Sequence, residues 1–107
     1  MAQKFANKII YTHIKKYLET LRENKIAVWR LYMFGSHAKG TAQPESDIDL
    51  AVFWDQDDID NFDADVQLMR LTRNVEIDIE PHSFSKKDFE NPDPFIKEII
   101  TTGERIV

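Results

Sequence analysis

The sequence predicts a small α/β domain spanning residues 1–107, with one mixed β-sheet and helices packed on it. Three observations carry this. Segments with apolar residues at three- and four-residue spacing alternate with segments of strand character, in the order helix, strand, strand, helix, strand, helix. Only turn chemistry separates the first two strands, which favours an antiparallel pair, whereas a helix long enough for a parallel crossover separates the second from the third. A chain of 107 residues that is 42% hydrophobic and 31% charged is sufficient for one two-layer core.

Each element has its own signal. In "KFANKIIYTHIKKYLETLREN" the residues Phe5, Ile9, Ile10, Ile14, Tyr17, Leu18 and Leu21 form a core-facing helical stripe, ending near Asn24. Lys4, Lys8, Lys15, Lys16 and Arg22 make the solvated face of the same helix. "IAVWRLYMF" reads as a buried strand, and "GSHAKGTAQPES" as a turn in which a short helix opens at Ser36. "DIDLAVFW" is the second strand. "DQDDIDNFDADVQLMRLTRN" begins with acids and ends with arginines, the order a helix dipole favours, and its apolar stripe is Phe62, Val66, Leu68 and Met69. "NVEIDIEPHSF" alternates strictly, with Val75, Ile77 and Ile79 on one face and Glu76, Asp78 and Glu80 on the other. After a short loop, "DPFIKEIITTG" is the last helix, opened by Pro94 and closed by Gly103.

Composition narrows the functional classes. There is no cysteine, which excludes a disulfide framework and a zinc–thiolate site. No apolar run approaches the ~20 residues that span a bilayer. The expected setting is therefore cytoplasmic, with no membrane partner. Residues 1–43 carry eight Lys/Arg against two Glu, whereas 44–107 carry six against seventeen Asp/Glu. A net charge of −5 argues against direct nucleic-acid binding, because phosphate neutralisation supplies most of that affinity. A dense acidic half suits divalent cations or a basic partner. The acids between Asp55 and Asp65 lack the glycine and final glutamate of an EF-hand loop and read as a charged loop and helix start.

The chemistry concentrates in "MFGSHAKGTAQPESDIDLAVF". Asp47 and Asp49, two residues apart on a strand, leave the same face with Cβ atoms about 6–7 Å apart. Carboxylates that close repel unless a cation or proton intervenes, and Mg²⁺ with its preference for oxygen ligands resolves the conflict. With the third strand alongside, Asp78 joins them, and three carboxylates from two strands can hold a pair of metals. Glu76 and Glu80, on the same face, are read as bystanders. Gly35 allows a sharp turn, and Ser36 presents a hydroxyl and an amide at a helix start, where backbone N–H groups cradle phosphate.

"GSHAKGTAQPESDIDL" resembles the signature of the nucleotidyltransferase superfamily related to DNA polymerase β: Gly-Ser, ten residues, then Asp-x-Asp. With Gly40, Ser46 and the flanking strands, the chain is most similar to the minimal nucleotidyltransferases, many of which are antitoxins paired with a HEPN-domain ribonuclease toxin. The resemblance implies the polymerase β-like fold. It also implies metal-bridging aspartates at Asp47 and Asp49, a third carboxylate at Asp78, and a triphosphate-binding turn at Gly35 and Ser36 with Ser46 beside it. The implied reaction uses two Mg²⁺ ions and ATP and transfers AMP to a hydroxyl, a tyrosine of the HEPN toxin in the related antitoxins. Lys39 stands where many relatives have arginine, which keeps the charge without the bidentate geometry. No residues remain for a second domain, so the acceptor protein or another subunit is expected to complete the site in a hetero-oligomer. Two other classes stay open. One is an antitoxin that silences its partner by contact alone, and the other is a transferase acting on a small molecule or RNA.

Overall fold

The computed structural model describes residues 2–43 and 46–107, with the side chains of the first helix described from Lys8 onward. Phe5 and Lys4, assigned above to the stripe and the basic face of that helix, therefore have side chains outside the described residues. The elements are α1 (Ala2–Glu23), β1 (Val28–Phe34), α2 (Ser36–Lys39), β2 (Ile48–Trp54), α3 (Asn61–Leu71), a single 3₁₀ turn (Thr72–Asn74), β3 (Ile79–Phe84), α4 (Lys86–Glu90), α5 (Pro94–Thr102) and β4 (Glu104–Arg105). The sheet runs in the order β3-β2-β1-β4. β1 pairs antiparallel with both β2 and β4, and β2 pairs parallel with β3, so the sheet is mixed, as the connections predict.

Strand β2 is buried on both faces, and its alternation splits the core in two. Ile48, Leu50, Val52 and Trp54 pack with Ile14, Tyr17, Leu18 and Leu21 of α1 and with Ala64 and Leu68 of α3. Ala51 and Phe53 point the other way, into a second cluster with Tyr32, Ile96 and Ile99, bordered by Phe34, Phe84 and Phe89. Asp49 shares the side of Ala51 and Phe53. Among the described residues, no helix is long and apolar enough to cross a membrane.

Four features differ from the sequence expectation. The alternating run from Val75 becomes a strand only at Ile79, because the chain leaving α3 first makes the 3₁₀ turn and then packs Val75 and Ile77 into the first core. Only the carbonyl of Asp78 joins the ladder ahead of the strand, accepting from the Ile48 amide at 2.9 Å. The segment after Ser85 is not all loop. It forms α4 on a capping box, with Ser85 Oγ accepting from the Asp88 amide and Asp88 accepting from the Ser85 amide. Strand β4 is two residues long, too short for any periodicity to announce, and Gly103 lets the chain approach the Ile99 and Met33 carbonyls as it turns into it.

The inward face of α3 is the fourth difference. Ala64 and Leu68 are buried, whereas Phe62 (81% exposed), Val66 and Met69 face outward. The polar residues decide the rotation. Ser83 sits on the edge strand β3 with backbone groups that need partners. Asn61 donates to its carbonyl at 3.0 Å, and Asp65 accepts from its amide at 2.8 Å. Asn61 and Asp65 are one turn apart beside Ala64 and Leu68, so satisfying the edge turns Phe62, Val66 and Met69 away. Asp65→Ala is expected to cost about 1.5–3 kcal/mol in urea unfolding, the scale of a lost charge-assisted hydrogen bond. Phe62→Ser should stay within about 0.5 kcal/mol. The reverse ranking would contradict this account.

Candidate active site

The site forms where β1 ends and β2 begins. After Phe34 the chain turns at Gly35, whose φ of 74° and ψ of −152° lie in a region essentially reserved for glycine. A Cβ on Gly35 would overlap Oδ2 of Asp49, so the backbone of the turn presses directly on that carboxylate. Ser36 opens α2, and its carbonyl accepts from the amides of Gly40 and Thr41. His37 Nε2 lies 3.0 Å from the Ser46 carbonyl, tying α2 to the approach of β2. The Ser46 hydroxyl accepts from the Gln43 amide at 2.9 Å, and its own amide donates to the Gln43 carbonyl. Ser46 thus holds the loop that delivers Asp47 and Asp49. Lys39 reaches Glu98 of α5 at 3.8 Å, an exposed pair that contributes little.

Sheet register sets Asp49 between Phe34 of β1 and Glu80 of β3. Because paired residues of a parallel ladder point to the same face, the Glu80 carboxylate stands beside that of Asp49. His82, two residues further along β3, follows on the same face, its Nε2 4.0 Å from Asp49 Oδ1. Asp49, Glu80 and His82 each offer a ligand atom within 4.8 Å of the others. Asp78 lies one residue ahead of β3 and outside this group of three. With Asp47 and Glu80 it lines an open cleft of about 520 Å³, whose walls include Thr72, Arg73 and Val75. Alternation could not separate Glu80 from Asp78, since both share one face. The signal that bears on the choice is the Pro81 that follows Glu80, a residue at home on an edge strand and hence a marker of where β3 runs.

Electrostatics make this arrangement costly without a cation. Burial pushes the Asp49 carboxyl above the ordinary carboxylate range. The neighbouring Glu80 adds to this through its charge and a hydrogen bond, His82 opposes it, and Asp47 contributes a smaller push upward. A protonated Asp49 shared with Glu80 is one remedy; a divalent cation among the same oxygens is the other. Hard carboxylate donors, a partly desolvated setting and a backbone turn packed against Asp49 all fit such an ion.

Comparisons with known proteins bear on the family and the fold. A family model described as polymerase beta, nucleotidyltransferase, matches residues 13–107. A search of curated proteins finds no match. Among solved structures, a candidate nucleotidyltransferase from Sulfolobus solfataricus superposes with a TM-score of 0.66 at 16% identity, covering 85% of this chain and 80% of that one, which is a likeness of fold. A toxin–antitoxin crystallised with AMP-PNP gives a TM-score of 0.62 at 25% identity, covering 91% of this chain and 72% of that one. A mutant of the MntA–HpeT toxin–antitoxin gives 0.59 at 26% identity, covering 87% and 70%.

Proposed function

The chain belongs to the polymerase beta nucleotidyltransferase family, and on that footing we propose that it acts as an antitoxin, using ATP and Mg²⁺ to transfer AMP onto a hydroxyl of a partner toxin. The observation that carries the reading is the contact between the Gly35 turn and Asp49. It sets a phosphate-binding backbone against the acids on which a nucleotide-bound cation would rest. The toxin–antitoxin structures similar to this chain, one of them with AMP-PNP, support the choice of partner and nucleotide. A tyrosine of a HEPN-type ribonuclease is the proposed acceptor, on the strength of the sequence resemblance.

In this reading the amides of Gly35 and Ser36 hold the triphosphate, and Ser46 keeps the loop between α2 and β2 in place. Asp47, Asp49 and Glu80 hold the dications, with Asp78 at the rim of the adjoining cleft. When bound, the cations neutralise charge developing on the phosphates and favour ionisation of the attacking hydroxyl. The acceptor oxygen enters from the cleft beside Asp47 and Glu80 and forms a bond to the α-phosphorus. The α–β anhydride bond breaks, pyrophosphate leaves with the bonding pair, and the hydroxyl proton is lost to solvent. Holding the two reactants in line accounts for much of the acceleration.

The test is incubation with labelled ATP, Mg²⁺ and the product of the neighbouring reading frame, followed by intact-mass analysis. One or more added adenylates on that partner, absent with Asp47→Asn, is the expected result. If Asp47→Asn neutralises the toxin as well as the unaltered chain does, inhibition is by contact and the enzymatic account fails.

A further inference from the structure

We propose that His82 is a nitrogen ligand of the dication held by Asp49 and Glu80, making this a mixed nitrogen–oxygen centre that takes Mn²⁺ in preference to Mg²⁺. The inference rests on the metal-binding reading above, adds a ligand to it, and puts Mn²⁺ ahead of the Mg²⁺ named there.

Geometry is the first support. The 4.0 Å between His82 Nε2 and Asp49 Oδ1 is too long for a hydrogen bond. Two donors each about 2.0–2.2 Å from a common ion lie at most about 4.4 Å apart, so the gap is of the size an ion fills. Glu80 brings its own donor atom within the same 4.8 Å group. All three residues project from one face of two adjacent strands in fixed register, so the sheet ladder rather than a loop positions them. Phe34, paired with Asp49 on its other side, sets its ring 5.4 Å from the imidazole and limits the orientations open to it.

The imidazole is also uncommitted. Its ring makes no hydrogen bond to another of the described residues, whereas the ring of His37 meets the Ser46 carbonyl. Of the three histidines in the chain, His82 is the one grouped with carboxylates.

Ligand chemistry then favours Mn²⁺ over Mg²⁺. Mg²⁺ demands near-ideal octahedral oxygen coordination and keeps several waters. Imidazole nitrogen suits first-row transition ions, and carboxylate oxygen suits Mn²⁺ as well as Mg²⁺. A centre built from two carboxylates and an imidazole therefore matches Mn²⁺ better.

The experiment uses the full chain without nucleotide. Mn²⁺ binding is followed by loss of the free-ion electron paramagnetic resonance signal, and nitrogen coordination by ¹⁴N modulation in pulsed spectra of the bound ion. The expected result is ¹⁴N modulation in the unaltered chain and its loss in His82→Ala, with Mn²⁺ affinity falling at least about 10-fold and Mg²⁺ affinity changing much less. His82→Phe, which keeps an aromatic ring against Phe34, should match the unaltered chain in thermal stability yet lack the nitrogen signal. Bound Mn²⁺ without ¹⁴N modulation, or modulation that survives His82→Ala, overturns the proposal while leaving the carboxylate site intact. Failure to bind Mn²⁺ at all, with AMP transfer still supported by Mg²⁺, overturns the proposal but not the transferase reading.

Discussion

Asp49→Asn is expected to abolish nucleotidyl transfer and, in the same protein, to raise the melting temperature. The two effects have one cause. Burial and the adjacent Glu80 hold the Asp49 carboxyl above its usual range, so the folded chain binds that proton more tightly than the unfolded chain does. The sign follows from linkage: where the native state binds more protons, stability falls as pH rises. This contribution is therefore lost from the ordinary value of 3.8 up to the raised folded value, and it stays lost at neutral pH. An asparagine removes the charge and can donate its amide to Glu80. The metal-free midpoint at pH 7 should rise by roughly 2–5 °C, with the difference vanishing in acid. Transfer should fall at least about 10³-fold, roughly 4 kcal/mol of barrier. Saturating Mg²⁺ or Mn²⁺ should stabilise the unaltered chain by about 2.7 kcal/mol at a hundred times Kd, and the variant by far less. Thermal denaturation across pH, with and without metal, measures each part. A variant less stable than its parent at neutral pH would refute the electrostatic account, and retained transfer would remove Asp49 from the reaction.

Gly35→Ala is expected to damage both the fold and the chemistry, for a reason specific to this turn. The backbone at Gly35 has φ 74° and ψ −152°, which an alanine adopts only at a cost of about 1–3 kcal/mol. The new methyl would also be driven into Oδ2 of Asp49. Either the turn or the carboxylate must move, and displacing a catalytic group by about 1 Å can cost about 10²-fold in rate. Transfer should fall by about that factor or more, and urea unfolding should show a loss of about 2–4 kcal/mol. Because part of the penalty is the collision, Gly35→Ala and Asp49→Ala should be non-additive: the double variant should regain about 0.5–3 kcal/mol relative to the sum of the singles. Full additivity would mean that the turn and the carboxylate do not touch, and the phosphate-binding role of Gly35 would lose its basis.

Much of this molecule is written in local spacing. The helical stripe through Ile14, Tyr17, Leu18 and Leu21, the doubly buried strand from Ile48, and the last helix between Pro94 and Gly103 follow from periodicity and end signals that act over a few residues. The mixed sheet follows from what separates its strands. The meeting of Gly35 with Asp49 is local in the same sense, since an antiparallel pair folds the end of one strand onto the start of the next.

What chain order leaves open is decided where distant segments meet. Glu76, Asp78 and Glu80 share one face of an alternating run, so alternation does not select the one that stands beside Asp49, and Pro81 marks only where an edge strand runs. The selection comes from the parallel register of Ile48 with Ile79, set by the turn after α3 and the burial of Val75 and Ile77. The face of α3 is likewise decided by the unpaired backbone of Ser83 on a remote edge strand, which draws in Asn61 and Asp65 and turns Phe62 outward. Periodicity is a property of neighbours along the chain. Register and rotation are settled by which polar groups and side chains must be satisfied across the sheet, and those exist only once the tertiary structure has formed.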